Sequence, residues 1–230
     1  MKLLQSSIYI IFKREVNAFL NNLIAYIVFT VFLVGVGLFF WVFGGNVLAA
    51  QRGDMQLLFD YAPWFFLFLV PAICMRSFSE EMKTGTIELL ATKPVTDWQI
   101  ILGKYLGAIF LVVLSLIPTL IYYFTLQSLT QPAWSLDSGP IWGAYLGLLG
   151  LGAIFVAIGI FCSAITQNQV IAFLLGVFLS FFFFFGFEFL AELELLSGIN
   201  DILSGIGGIA HFESISRGVI DTRDIVYFIS

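Results

Sequence analysis

The chain has 230 residues, of which 60% are hydrophobic and 11% are charged, and its formal net charge at pH 7 is −5. Soluble domains carry about a quarter charged residues, so this composition excludes an ordinary soluble protein and indicates an integral membrane protein. The net charge says little about partners, because the charged residues are segregated along the chain.

The N-terminal segment, residues 1–22, is amphipathic but too polar to cross a membrane. Apolar residues such as Phe12 and Phe19 flank the basic pair Lys13 and Arg14. A helix of this kind lies along the membrane interface with its apolar face toward the lipid. No small-residue cleavage site follows a short apolar core, so we do not interpret the segment as a signal peptide.

Five apolar runs are long enough to cross a membrane. A helix rises about 1.5 Å per residue, so about 20 residues cross a hydrocarbon core roughly 30 Å thick. The cores of these runs contain no charged residue, since Asp60 and Glu188 lie at their ends. We predict an all-α integral membrane protein with spans at residues 23–43, 57–75, 101–124, 141–162 and 170–187.

The polar loop between the second and third spans, residues 76–100, is the stretch around which the chain is organised. S-x-x-E from Ser77 and T-x-x-Q from Thr96 are capping-box patterns. Such side chains satisfy the free backbone N–H groups of a first helical turn, so we predict a helix start at each. Between them, Gly85 loosens the first helix and Pro94 prevents the next from continuing.

The short helix between these breaks has one apolar face. Ile87, Leu90 and Ala91 fall at i, i+3 and i+4 spacing, with Glu88 beside them. A short helix between two spans has no core of its own in which to bury such a face. We therefore expect another protein to receive it.

The distribution of basic residues predicts the topology. Cytoplasmic loops carry an excess of Lys and Arg, and a cytoplasmic N-terminus places seven of the ten basic residues inside. We therefore expect the loop 76–100 to be cytoplasmic and the region 188–224 to be external. The seven residues are Lys2, Lys13, Arg14, Arg76, Lys83, Lys93 and Lys104.

The region 188–224 contains seven acidic residues and two apolar pieces that glycines keep short. The pieces, 193–203 and 206–212, are too short to span, since eleven residues of helix reach only about 16 Å. We predict two short helices at the external surface, or a re-entrant pair, with the second ending near Phe212. The last seven residues, 224–230, have the pattern of a sixth span that is cut short.

Candidate catalytic and nucleotide-binding residues are few. His211 is the single histidine, and we interpret it as structural or interfacial. The G-x-x-x-x-G-K-[ST] loop that cradles ATP phosphates is absent from the sequence. The G-x-x-G-x-G pattern from Gly147 lies within a span, where small residues favour close helix packing. We expect Cys74 and Cys162 to be buried as small hydrophobic side chains, with no disulfide or metal implied.

Three segments together resemble one known family. E-E-x-x-x-G-T-x-E-L-L at 80–90, K-P-V at 93–95 and W-x-I-x-x-G-K at 98–104 resemble the cytoplasmic loop of ABC-2-type permeases, the membrane subunits of ATP-driven transporters. The tail at 211–224 and the opening at 12–26 are also similar to segments of this family. Within it, the chain looks most like the permease subunits associated with gliding motility.

The resemblance implies one transmembrane domain over residues 1–230 with six spans, in a bacterial inner membrane and with a cytoplasmic N-terminus. It also implies a second permease copy or a homologous permease, which completes a dimeric pore. ATP would bind a separate ATPase subunit, so no cofactor is expected on this chain, and no nucleic acid is expected as a partner. The residues expected to contact the ATPase are Thr86, Ile87, Glu88, Leu89 and Leu90.

Several functions remain open at this point. One alternative is an ABC-2 exporter of a drug, a lipid or a polysaccharide that is unrelated to motility. An ion-driven carrier without an ATPase belongs to a different class, and such carriers place ionisable residues at mid-membrane depth. The absence of charge from the span cores argues against a carrier. An intramembrane enzyme lacks an acid–base pair here, and a scaffold without transport activity also remains possible.

Overall fold

The computed structural model describes residues 2–43, 47, 55–91, 95–129, 137–191, 205, 207–218 and 221–229. The secondary structure of these residues is helical, which confirms the predicted all-α class. Among them, five helical runs are long and apolar enough to cross a membrane, as the sequence predicted. The runs are Leu23–Trp41, Gln56–Lys83, Asp97–Leu129, Ser138–Ile165 and Gln169–Ala191.

The first half of the chain forms the N-terminal helix, two spans and the loop that follows them. Asn22 begins the first span, because its side-chain oxygen accepts the backbone N–H of Ile24 at 3.0 Å. Gly85 separates two short helices of the loop. Its own backbone is in the left-handed region, with φ +70°, which favours glycine. The elements are α1 (Lys2–Leu20), α2 (Leu23–Trp41), α3 (Gln56–Cys74), α4 (Ser79–Lys83) and α5 (Thr86–Ala91).

The second half contains three more spans and a helical hairpin. Pro118 lies in a 3-10 turn, Ile117–Thr119, that interrupts the third span, because proline cannot continue an α-helical hydrogen-bond ladder. A π-helical turn, Phe182–Gly186, interrupts the fifth span. The elements are α6 (Asp97–Leu116), α7 (Leu120–Leu129), α8 (Ser138–Ile165), α9 (Gln169–Phe181), α10 (Phe187–Ala191), α11 (Gly208–Ser216) and α12 (Thr222–Ile229).

Helix α8 is the centre of the bundle and packs against α3, α6, α9 and α11. Its side chains Leu148 and Leu151 are fully buried. A methyl group added at Gly150 would lie 2.7 Å from the ring of Phe228, so only glycine permits this approach. The packing interpretation of the pattern that begins at Gly147 is therefore confirmed, in agreement with the role of small residues between membrane helices.

The two ends of the bundle differ in what they carry. One end, called the α1 end below, carries α1, α4 and α5, whereas the opposite end, called the far end, carries Asp137 and Gly218. Cys74 and Cys162 are buried free thiols within the bundle, so their predicted burial is confirmed.

The region after the fifth span is packed into the bundle more deeply than surface helices would be. The predicted piece 193–203 lies outside the described residues. Helix α11 ends at Ser216 rather than near Phe212, and Phe212 and Ile215 are buried against α8. Helix α11 therefore packs along the half of α8 that begins at Ser138.

Candidate functional site

The loop after the second span is fastened to α8 by one hydroxyl group. Oγ of Ser163 accepts the backbone N–H groups of Phe78 at 2.9 Å and of Ser79 at 3.1 Å, and it donates to the carbonyl of Met75 at 3.2 Å. The prediction that Ser77 caps this helix is wrong. Helix α4 begins at Ser79, and a side chain from another helix satisfies the N–H groups of its first turn.

The second predicted capping box is confirmed. The backbone N–H of Thr96 donates to Oε1 of Gln99 at 3.1 Å, and α6 begins at Asp97. Gln99 is buried, so its side chain is held at the junction between the loop and the third span. The sequence identified this box because all of its groups lie within one helical turn.

Lys104 of α6 is a buried cation at the α1 end, with a side chain that is 0% exposed. Its Nζ lies 2.9 Å from Oε1 of Glu15, 3.1 Å from Oε2 of Glu81 and 2.5 Å from the carbonyl oxygen of Ser77. An ammonium group has three N–H donors and no acceptor. Nζ therefore donates hydrogen bonds to Glu15 and Ser77, and its contact with Glu81 is an ion pair.

Arg14 extends this arrangement, because its guanidinium pairs with Glu81 and lies 3.3 Å from Glu15. Arg14, Glu15, Glu81 and Lys104 are called the Lys104 cluster below. Glu15 and Arg14 lie on α1, Glu81 lies on α4 and Lys104 lies on α6, so the cluster joins three elements. The ammonium of Lys104 also lies 4.8 Å from the centroid of the Phe78 ring, which adds a cation–π contact.

A second ion pair stiffens the loop at its start. Nε of Arg76 lies 3.0 Å from Oε2 of Glu80, and a second guanidinium nitrogen donates to Oε1 at 3.1 Å. The contact at 3.1 Å is a hydrogen bond, whereas Nε has no hydrogen-bond partner among the described residues and contributes through charge. A cavity of about 380 Å³ lies beside this pair and is also lined by members of the Lys104 cluster.

Small residues on α6 allow α1 to approach it closely. A methyl group added at Gly103 would lie 2.8 Å from Cβ of Ile11, and one added at Gly107 would lie 3.1 Å from Cβ of Glu15. Helix α1 is therefore seated on the third span, and this contact brings Glu15 to Lys104. The sequence predicted an interfacial helix but gave no sign of the element that it packs against.

The residues predicted to contact an ATPase lie on α5. Thr86, Ile87 and Glu88 are exposed there, and 36% of Ile87 is accessible. Leu89 and Leu90 belong to the same helix, but their side chains fall outside the described part of the chain. The contact itself stays a prediction.

Ile87 does not stand alone on the surface. It lines an apolar groove of about 550 Å³ that runs from the loop onto the third and fourth spans. Ile87 is therefore part of a larger apolar surface at the α1 end. Other residues that line the groove are Phe78, Met82, Ile101, Tyr105 and Phe161.

The sequence profile of the ABC-2 family transporter proteins matches residues 50–209, which is more than half of the chain. The matched part contains the second to fifth spans and the loop with α4 and α5. A comparison with curated protein sequences found no match. The all-helical bundle with five membrane-length helices agrees with a membrane component of a transporter. The chain therefore belongs to the ABC-2 family of transporter proteins.

Proposed function

We propose that this chain is the permease subunit of an ATP-driven exporter, and that α4 and α5 receive a separate ATPase subunit. Membership of the ABC-2 family implies an ABC ATPase partner. The observation that carries the proposal is the anchoring of the loop. Exposed residues of α5 follow a segment that Ser163 and the Lys104 cluster tie to α8, α6 and α1.

This anchoring would transmit a movement of the ATPase to the spans. Glu81 ties α4 to Lys104 of the third span, and Ser163 ties the start of α4 to the fourth span. Breaking a buried ion pair by removing one partner costs about 3–5 kcal/mol, so the cluster would hold when the loop is displaced. A push on α4 would therefore shift α1 and both spans together.

The docking contact would be made by the apolar face of α5. We propose that Ile87 and Leu90 fill a groove on the ATPase, while Thr86 and Leu89 complete the contact. Glu88 would make a polar contact at the rim. Buried interface anchors typically carry about 2 kcal/mol or more each, whereas a charge at the rim carries less and depends on salt.

Recovery of the ATPase in a detergent pull-down tests this contact. Ile87→Ala combined with Leu90→Ala should lower recovery by at least about tenfold, because a loss of about 2 kcal/mol exceeds a factor of ten in affinity. Glu88→Lys should weaken recovery in a salt-dependent way. Asp137→Asn is the matched control, since Asp137 lies at the far end and an asparagine keeps its capping bond to Gly139. Undiminished recovery with the double variant would show that the ATPase docks elsewhere.

We also propose that the exported substrate serves gliding motility and that the chain works in a bacterial inner membrane with the α1 end in the cytoplasm. The segments 12–26, 80–104 and 211–224, which resemble permeases associated with gliding, support this assignment. Deletion of the gene in the gliding bacterium that encodes it should abolish colony spreading. Normal spreading would instead favour export of a drug, a lipid or a polysaccharide. Transport that persists without any ATPase would favour an ion-driven carrier.

A second permease copy, or a homologous permease, would complete the pore. The second span is 67% buried over its most apolar stretch, whereas the first and fifth spans are only 22% buried. Large apolar side chains are exposed on the first and fifth spans, such as Val31 on the first and Phe178 on the fifth. Lipid and a partner permease are the two surfaces that would cover them. A cysteine at Val31 or Phe178 that forms an intersubunit disulfide would identify the side that faces the partner.

A further inference from the structure

A buried histidine–carboxylate pair joins α11 to α12 at the far end of the bundle. Nδ1 of His211 lies 2.6 Å from Oδ1 of Asp224, and Nε2 lies 2.9 Å from the carbonyl oxygen of Gly205. The His211 side chain is 16% exposed and the Asp224 side chain 6%. The ring of His211 stacks on the ring of Tyr227 with the centroids 4.0 Å apart.

The helix that carries His211 packs along the first half of α8. Phe212 packs against Gly147 of α8, and Gly208, at the start of α11, lies close to Leu151. The pair of His211 and Asp224 is therefore held next to the central helix of the bundle.

The geometry requires more protons than a neutral histidine and a carboxylate carry. A carbonyl oxygen only accepts hydrogen bonds, so Nε2 of His211 must carry a hydrogen to bond with Gly205. A neutral imidazole then has a lone pair on Nδ1, which faces another lone pair on Oδ1 of Asp224. One additional proton between Nδ1 and Oδ1 resolves the conflict, whether it is counted on the ring or on the carboxyl group. Without that proton, only one of the two hydrogen bonds can form.

The surroundings give the pair few other charged neighbours. Oδ2 of Asp224 is buried and makes no hydrogen bond with the part of the chain that the structure describes. A buried carboxylate oxygen without a hydrogen bond is costly, so Asp224 depends on its contact with His211.

The ionisable groups on the elements around the pair lie on its own hairpin, on α10 and on α8. On the pair's own hairpin, Glu213, Arg217, Asp221 and Arg223 are exposed, and Tyr227 stacks on the ring of His211. Glu188 is exposed on α10. The π-helical turn that packs on α11 has no titratable residue, and in the half of α8 along which α11 packs, Tyr145 is bonded to Thr119.

We propose that His211 and Asp224 form a proton-binding site, and that the bound proton fastens α12 to α11 and α11 to the backbone of Gly205. Loss of the proton removes one of these two bonds, so the hairpin loosens at His211. The stability of the hairpin then responds to pH. Histidine is the side chain whose charge ordinarily changes between pH 5 and 8. The proposal goes beyond the docking of an ATPase and does not depend on it.

Imidazole NMR can observe the site directly, because His211 is the only histidine in the chain. A protein with ¹⁵N-labelled histidine and a histidine-free affinity tag, in lipid nanodiscs, reports on this one ring between pH 5 and 9. We expect both ring nitrogens to be hydrogen-bonded at low pH and one bond to be lost as the pH rises. A ring that keeps a single protonation state over this range would overturn the proposal.

Hydrogen exchange of peptides covering residues 208–228 tests the link to the hairpin. Asp224→Asn is nearly isosteric, and its amide N–H can donate to Nδ1 without any titration, so it mimics the proton-loaded pair. At pH 5 we expect the wild-type protein to exchange as slowly as Asp224→Asn. At pH 9 we expect the wild type to exchange about tenfold faster than Asp224→Asn, because the loss of one hydrogen bond changes an equilibrium by about that factor. His211→Phe keeps a ring against Tyr227 but loses both bonds, so it should exchange fast at both pH values.

The comparison at equal pH removes the intrinsic pH dependence of exchange. Glu213→Gln is the matched control, because it removes an exposed carboxylate from the same helix and should behave as wild type. A constant ratio between wild type and Asp224→Asn from pH 5 to 9 would overturn the proposal, as would an Asp224→Asn protein that exchanges as fast as His211→Phe. If His211→Phe does not fold, the ratio of wild type to Asp224→Asn still decides the question.

Discussion

The bundle carries a group of ionisable side chains at each end, and the two groups differ in their basic members. At the α1 end, Lys104 and Arg14 pair with the carboxylates of Glu15 and Glu81. At the far end, the basic group that faces Asp224 is the imidazole of His211. One buried carboxylate oxygen at each end, Oε2 of Glu81 and Oδ2 of Asp224, has no hydrogen bond among the described residues, so the difference lies in the cations and not in the carboxylates.

This difference between the ionisable groups indicates what each end of the bundle can do. The Lys104 cluster pairs two basic side chains with two carboxylates across three helices, so it acts as a joint between α1, α4 and α6. The pair of His211 and Asp224 matches only when it holds an additional proton. This difference is the reason that we propose transmission of movement for the α1 end and a response to pH for the far end.

Removal of the lysine is expected to have the largest effect on this comparison. Lys104→Met leaves Glu15 and Glu81 close together without their shared cation, and loss of one partner of a buried pair costs about 3–5 kcal/mol. We expect a large drop in the midpoint of thermal unfolding in detergent. Lys83→Met, an exposed lysine of α4, should change the midpoint little. Equal midpoints for the two variants would show that the cluster is not a joint.

The link from the loop to α8 is expected to have an intermediate effect. Ser163→Ala leaves the backbone N–H groups of Phe78 and Ser79 without their acceptor, and a buried donor without a partner costs about 1–3 kcal/mol. We expect faster hydrogen exchange in residues 75–83, with little change in α11. Ser216→Ala, at the far end, is the control, since its hydroxyl only bonds to a carbonyl of its own helix. Exchange that rises equally throughout the bundle would contradict a local role for Ser163.

The sequence predicted those features that depend on residues close together in the chain. Five spans followed from the lengths of apolar runs, and the capping box at Thr96 involves residues within one turn. The prediction at Ser77 failed because a competing interaction came from a distant element. Ser163, more than 80 residues away, supplies the hydroxyl that caps α4, while the carbonyl of Ser77 binds Lys104.

The sequence indicated only those parts of the candidate site that depend on residues close together in the chain. The exposed positions of Thr86, Ile87 and Glu88 follow from the local polar pattern of the loop. The pairing of Lys104 with Glu15 joins residues 89 apart, and Gly103 permits it only because α1 folds back onto α6. The one signal for this contact in the sequence was a lysine directly after a glycine, Gly103 and Lys104, at the start of an apolar run.

The smallest expected effect separates two kinds of pH dependence on the same hairpin. Oδ1 of Asp221 accepts the backbone N–H of Arg223 at 3.0 Å and the hydroxyl of Thr222 at 3.3 Å, so it caps the start of α12. The bond from Arg223 and the neighbouring donors lower the pKa of Asp221 from its ordinary value of 3.8. A lowered pKa means that the carboxylate stabilises the folded hairpin above pH 3.8 and that this contribution is lost as the pH falls through the lowered value.

Asp221→Ala should therefore speed exchange slightly in the first turn of α12 at neutral pH, and the difference from wild type should vanish in acid. The effect stays small because the side chain is fully exposed and water replaces part of the lost bonding. Between pH 5 and 9, Asp221→Ala should keep the pH dependence that we assign to His211 and Asp224. If that dependence disappears in Asp221→Ala, the neutral-range response belongs to the cap of α12 rather than to the buried pair, and the contrast between the two ends of the bundle fails.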